Sequence, residues 1–205
     1  MNKQNSYIPL YVATAILALA LLIAAVFTRT YTFHGSVITP PLSVTDFTLQ
    51  TANGASFRLN DQKGKIVLLF FGYTSCPDVC PTTLAEFKQI HEMLGDAAEK
   101  VLFVMITADP ERDTPAKVAA YAARFNPDFV GLSGSMAELQ PIWKELGVFV
   151  EKQDSGSAAG YLVSHTASVY VLDQNGNLIM TFPYGTSAGD MADDIIQVLK
   201  KSDQE

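Results

Sequence analysis

The chain divides into stretches with distinct hydrophobic patterns. From Ile8 to Phe27 it is apolar apart from Thr14 and carries no charge. About twenty such residues span a bilayer core as a helix. Residues 28–43 read as a linker ending in Pro40-Pro41. Phe47 to Leu59 alternates around Asn53-Gly54, a two-residue hairpin signal. Ile66 to Phe71 is continuously apolar, as in a strand buried on both faces. Pro81 to Leu94 has helical spacing, with Leu84, Phe87, Ile90 (beside His91) and Leu94 on one stripe.

Val101 to Ile106 predicts a second buried strand. Thr114 caps a helix that opens on Pro115 and runs to about Phe125. Phe129 to Leu132 is a short strand, and Ser135 with Glu138 forms a capping box for a helix to about Leu146. An extended stretch begins at Phe149-Val150. Asp154 to Ser157, with Gly160 beyond, reads as a flexible loop. Ala167–Leu172 and Leu178–Phe182 form a second hairpin around residues 174–177, and Ala188–Lys200 is the closing helix.

Strands separated by helices imply parallel crossovers, and the closing hairpin makes the sheet mixed. The order is that of an α/β thioredoxin-like fold with a mixed central sheet, plus one N-terminal transmembrane helix. The expected domains are a short cytoplasmic tail (1–7), a transmembrane anchor (8–27), a linker (28–43) and the thioredoxin-like domain (44–205). The alternative for the apolar segment is a cleavable signal, but its Ala18-Leu19-Ala20 pattern lies in mid-run, so the anchor is expected to stay. Lys3 precedes the span, which favours a cytoplasmic amino terminus and an external domain. A bacterial inner-membrane protein facing the periplasm is the simplest reading.

Lys3 and Arg29 are the only charges in residues 1–34, so the chain total of −7 leaves −9 for the remainder. That acidity argues against nucleic acid and anionic lipid as partners. The six methionines are dispersed, and neither a Gly-rich phosphate loop nor a Ser/His/Asp hydrolase motif occurs.

Chemistry concentrates at Cys76 and Cys80, the two cysteines of the chain, at the junction of the Ile66–Phe71 strand and the following helix. Three readings stand: a soft-metal clamp, a redox dithiol, or a structural staple. One bridge across so small a loop adds little stability, so the staple is the weakest. Pro81 fits the first helical position, which places Cys80 at the cap; with Pro77 first, the roles swap. Either way one thiol gains from helix amides and dipole and has a lowered pKa. Two thiolates are too few for a structural zinc site, but two sulfurs and one imidazole suit copper in either oxidation state.

Of three histidines, His34 lies in the linker and His91 on the first helix, both read as structural or solvated. His165 precedes the Ala167–Leu172 strand, and in this topology the loop there faces the dithiol. The alternative is a capped surface histidine. Asp78 lies between the thiols, where it either shapes the turn or tunes charge. Asp109 to Asp113 reads as a structural block in which Arg112 pairs locally.

The segment Gly72-Tyr73-Thr74-Ser75-Cys76-Pro77-Asp78-Val79-Cys80-Pro81 resembles the copper motif of the SCO/SenC family, membrane-anchored thioredoxin-like copper chaperones for cytochrome c oxidase. Asp109-Pro110-Glu111-Arg112-Asp113-Thr114-Pro115 resembles that family's second block, and Ser164-His165-Thr166 through Tyr170-Val171-Leu172-Asp173 resembles its distal histidine block. Ser75 stands where a histidine is common, and Ser164 where an acidic residue often precedes the ligand. The resemblance implies that Cys76, Cys80 and His165 bind a copper ion, Cu(I) or Cu(II). It further implies that the protein matures the binuclear copper centre of cytochrome c oxidase subunit II. Another periplasmic copper chaperone or a thiol reductase would complete its partners. The rival function is a membrane-anchored periplasmic thiol–disulfide oxidoreductase that reduces the target's cysteines through Cys76 and Cys80.

Overall fold

A fully buried strand, Ile66–Gly72, organises the domain. The computed structural model describes residues 11–19, 31–157 and 160–202. The chain divides into two units, residues 1–32 and 33–205. In the first, residues 11–19 are helical and exposed. The remainder of the expected 8–27 span and the 1–7 tail lie outside the described residues. Among the described residues, no helix is long and apolar enough to cross a membrane.

In chain order the second unit comprises β1 (Ser36–Ser43), β2 (Thr48–Gln50), β3 (Ser56–Arg58), β4 (Ile66–Gly72) and α1 (Val79–Leu94). There follow β5 (Val101–Thr107), α2 (Pro115–Ala123), β6 (Val130–Leu132), α3 (Met136–Glu145), β7 (Val150–Ser157) and β8 (Gly160–His165). The chain closes with β9 (Val169–Leu172), β10 (Asn177–Phe182) and α4 (Ala188–Ser202). The main sheet has the order β1-β10-β9-β4-β5-β6. β4, β5 and β6 are parallel, while β9 runs antiparallel to both β4 and β10. The expected α/β mixed sheet is present. Two small ribbons, β2–β3 and β7–β8, stand outside it.

Period-two alternation along β4 sends its side chains into two cores. Ile66, Leu68 and Phe70 meet Leu84, Phe87 and Ile90 of α1, Val118 of α2 and Ile195 of α4. Val67, Leu69 and Phe71 meet Leu139, Ile142 and Trp143 of α3 and Leu49 and Phe57 of the first ribbon. Each such fully buried side chain contributes about 1.5–3 kcal/mol. The capping box Ser135–Glu138 forms as expected, and Thr114 caps α2 with Pro115 in its first turn.

Three expectations require correction. Residues 36–43, read as linker, form β1 on the sheet edge, and the compact unit begins at residue 33 instead of 44. The Pro40-Pro41 pair sits between the paired residues Val37 and Leu42, where the ladder is interrupted and needs no donor. Asp154–Ser157, read as a loop, belongs to β7. The Asn53-Gly54 turn joins β2 and β3 through a 3-10 turn, Ala52–Gly54, in place of a two-residue loop.

His34 has a structural role. The buried Asp194 carboxylate accepts from the backbone N–H groups of His34 and Gly35, both at 2.9 Å, and pairs with His34 Nδ1 at 3.0 Å. That side-chain bond raises the His34 pKa.

β6 lies so close to α2 that a Cβ at Gly131 would stand 2.3 Å from the Val118 carbonyl oxygen. Gly131→Ala is expected to lower the unfolding free energy by about 1–3 kcal/mol. An unchanged denaturant midpoint would contradict this packing.

Candidate metal centre

β4 ends at Gly72, and Tyr73 opens a turn that leads into α1. The Cys76 N–H donates to the Tyr73 carbonyl at 3.2 Å. α1 starts two residues earlier than expected: Asp78 is its N-cap, Val79 its first residue and Cys80 its second. Pro81 is therefore third. It fits because none of the first four helical N–H groups has a partner within the helix. The reading with Pro77 first fails too, since Pro77 precedes the cap. A Cβ at Gly72 would lie 2.9 Å from Cys80 Sγ, so only glycine leaves the sulfur its place.

Cys80 is fully buried and Cys76 partly exposed, both as free thiols. The two compete for one proton. A hydrogen bond from Cys80 holds Cys76 well below the ordinary thiol range. Burial opposes this, while the Asp78 and Cys80 amides add to it. The same bond to Cys76, followed by burial, pushes Cys80 up. The lowered thiol is thus Cys76, two residues before the cap, chiefly because the Cys80 thiol donates to it, with the Asp78 and Cys80 amides adding to the effect.

His165 ends β8, opposite Val150 of β7. Its Nδ1 lies 3.0 Å from the Thr166 carbonyl, an acceptor only, so Nδ1 carries the proton. Nε2 then presents its lone pair to the sulfurs, 3.6 Å from Cys80 Sγ. The edges of Phe70 and Tyr73 flank the ring at centroid distances of 6.0 and 5.9 Å. One donor atom from each of Cys76, Cys80 and His165 lies within 4.8 Å of the others, the one such group among the described residues. His91 packs against Phe103 and Phe129 and takes no part. Asp78 caps α1 without a side-chain bond.

Residues Asp109 to Asp113 support both halves of this cluster. Buried Asp113 accepts from Thr74 N–H at 2.8 Å, Thr74 Oγ1 at 2.5 Å and Thr107 Oγ1 at 3.1 Å. Lys117 Nζ reaches it at 3.2 Å. Arg112 pairs with Asp109, as expected, and also donates from Nη1 to the Tyr161 carbonyl at 2.9 Å. Tyr161 Oη donates to Asp109 at 2.7 Å. Burial, then that bond, pushes the Tyr161 phenol up to about 12. Tyr73, Tyr161 and the long reach of this block carry no local sequence signal.

The cluster opens on a shallow cleft of about 270 Å³ lined by Tyr73, Cys76, Pro77, Leu162, Val163 and His165. A larger groove of about 490 Å³ runs between β1 and α4, away from this chemistry. Two sulfurs and one neutral imidazole form a soft donor set of the kind copper prefers, and the open side leaves room for an incoming ligand.

The sheet order, a dithiol at the first strand-to-helix junction and a facing histidine define a thioredoxin-like protein with a site fit for a metal. The chain belongs to the SCO1/SenC family, whose model matches residues 38–200. It is 35% identical over 147 residues to an SCO2-like protein of Rickettsia conorii, covering 71% of this chain and 72% of that one. The solution structure of apo Sco1 from Thermus thermophilus superposes with a TM-score of 0.73 at 38% identity, over 83% of this chain and 99% of that one. Copper-bound ScoI from Bradyrhizobium japonicum gives a TM-score of 0.69 at 36% identity, over 76% and 99%.

Reduced, copper-free protein treated with iodoacetamide near neutral pH is expected to lose Cys76 at least about tenfold faster than Cys80, given thiolate content and exposure. Equal rates, or Cys80 first, would contradict the assigned proton sharing.

Proposed function

We propose that the domain captures one copper ion through Cys76, Cys80 and His165 and delivers it to the binuclear copper centre of cytochrome c oxidase subunit II. The observation that carries this reading is the convergence of the three donor atoms within 4.8 Å at an open cleft. Membership of the family and the copper-bound relative support it. Cys76, the partly exposed thiolate, makes first contact with the cargo. Cys80 follows as its proton leaves, and His165 completes the set with no rearrangement of its tautomer. Three protein ligands leave a position through which an acceptor thiolate enters, and exchange proceeds one ligand at a time. Residues 8–27 are proposed to anchor the chain as a single span in a bacterial inner membrane, with the domain in the periplasm. Their uncharged, apolar sequence and the helical residues 11–19 support this placement. A separate periplasmic chaperone or thiol reductase would supply copper or keep the pair reduced.

A second reading follows from the asymmetry of the thiols. Exposed, ionised Cys76 backed by buried Cys80 is also the arrangement of a dithiol reductase. The Cys76 thiolate would attack a target disulfide and release one target thiolate. Cys80 would then attack the mixed disulfide and release the second. Two electrons pass to the target, leaving a Cys76–Cys80 disulfide. This chemistry does not require His165 as a ligand.

His165→Ala separates the two. The copper reading expects an affinity loss of at least about tenfold and failure to restore oxidase assembly in cells lacking this protein. Full restoration of assembly by His165→Ala would favour the reductase. Unchanged affinity and spectrum in both copper oxidation states would sink the third-ligand role.

A further inference from the structure

Among the described residues, the ribbon that carries His165 pairs with no strand of the main sheet, and β7 and β8 pair only with each other. A lone two-stranded hairpin is marginal in water. Its position against the dithiol therefore rests on side-chain contacts. Some are apolar: Val163 is buried, and Val150 packs partly against both cores. The inner polar contacts centre on Arg112. Its Nε pairs with Asp109, and its Nη1 bonds the Tyr161 carbonyl on β8. Its guanidinium carbon lies 3.7 Å from the Tyr161 ring centroid and 5.7 Å from that of Tyr73. Tyr161 returns a hydroxyl bond to Asp109 at 2.7 Å. Tyr73 in turn opens the dithiol turn and stands edge-on to the His165 ring at 5.9 Å. One guanidinium thus touches the histidine ribbon on one side and the root of the dithiol turn on the other.

We propose that Arg112 is a positioning residue for the metal ligands, clamping the β7–β8 ribbon at Tyr161 so that His165 Nε2 stays within reach of the two sulfurs. The inference rests on the copper reading of the site. It depends on a planar fork that bonds and stacks at once, which a lysine ammonium cannot reproduce despite its equal charge. The outer pair Lys152–Glu111 also ties β7 to the Asp109–Asp113 block, but both side chains are largely exposed, and an exposed pair holds little.

The test compares the full-length protein with Arg112→Lys and with Tyr161→Phe, which loses only the hydroxyl bond to Asp109. In copper-free protein, hydrogen exchange of the amides in residues 160–165 reports the clamp directly. Arg112→Lys is expected to speed that exchange at least about tenfold and to weaken copper binding about 10–100-fold. It should also alter the nitrogen hyperfine coupling of bound Cu(II). Tyr161→Phe should shift each in the same direction by less. In a His165→Ala background, Arg112→Lys should leave copper affinity unchanged, because the clamp acts through that ligand. Unchanged exchange in both variants, or an equal affinity loss with and without His165, would overturn the proposal. Should Arg112→Lys fail to fold, Tyr161→Phe decides alone by the same readouts. An unaltered protein that takes up no copper would instead refute the copper reading, leaving the exchange measurement to judge the clamp.

Discussion

The site depends on a buried carboxylate. Asp113, 1% exposed, accepts from the Thr74 backbone and hydroxyl and from Thr107, with Lys117 beside it. A charge so far from water persists only when its lone pairs are satisfied, and leaving such a group without partners costs several kcal/mol. The dithiol turn supplies two of those donors and the end of β5 a third. The turn is therefore fixed to the sheet by what Asp113 requires. Four residues upstream, Asp109 holds Arg112, and Arg112 reaches the histidine ribbon. A single short block after β5 thus organises both halves of a donor cluster whose members lie far apart in sequence.

Within that frame the two sulfurs are inequivalent. The Cys80 thiol and the Asp78 and Cys80 amides converge on Cys76, and the bond to Cys76, followed by burial, keeps the proton on Cys80. The pair presents one ionised sulfur at the surface and one protonated sulfur behind it. The imidazole waits with its lone pair already directed, because Thr166 occupies its other nitrogen. Such a site needs only one deprotonation to offer two thiolates and an imidazole lone pair. The same asymmetry suits thiol exchange, which is why the dithiol alone never separated chaperone from reductase. Removal of His165 is the change that separates the two readings.

Periodic segments were legible from residue order. The Ile66–Phe71 run read as a strand with both faces covered, and the Leu84–Leu94 stripe as a helix on one core. β1 was not legible. Its residues are largely exposed and include two prolines, and its membership of the sheet is set by pairing with β10, over 130 residues away in sequence. The start of β7 was legible at Phe149-Val150, but its length and its pairing with β8 were hidden for a related reason: Lys152, Gln153 and Asp154 are exposed and carry no apolar pattern. The start of α1 was misread because proline is tolerated anywhere in a first helical turn. The grouping of Cys76, Cys80 and His165 was legible from topology and family resemblance together. Arg112 was read through its neighbour Asp109, while its second partner, Tyr161, lies 49 residues on and leaves no trace in local spacing.

The central claim is that Cys76, Cys80 and His165 together hold copper. X-ray absorption at the copper edge of the protein loaded with one Cu(I) under reducing conditions tests it most directly. The predicted first shell contains two sulfurs and one imidazole nitrogen, with the nitrogen lost in His165→Ala. A shell without sulfur, or one unchanged by removing His165, would contradict the account.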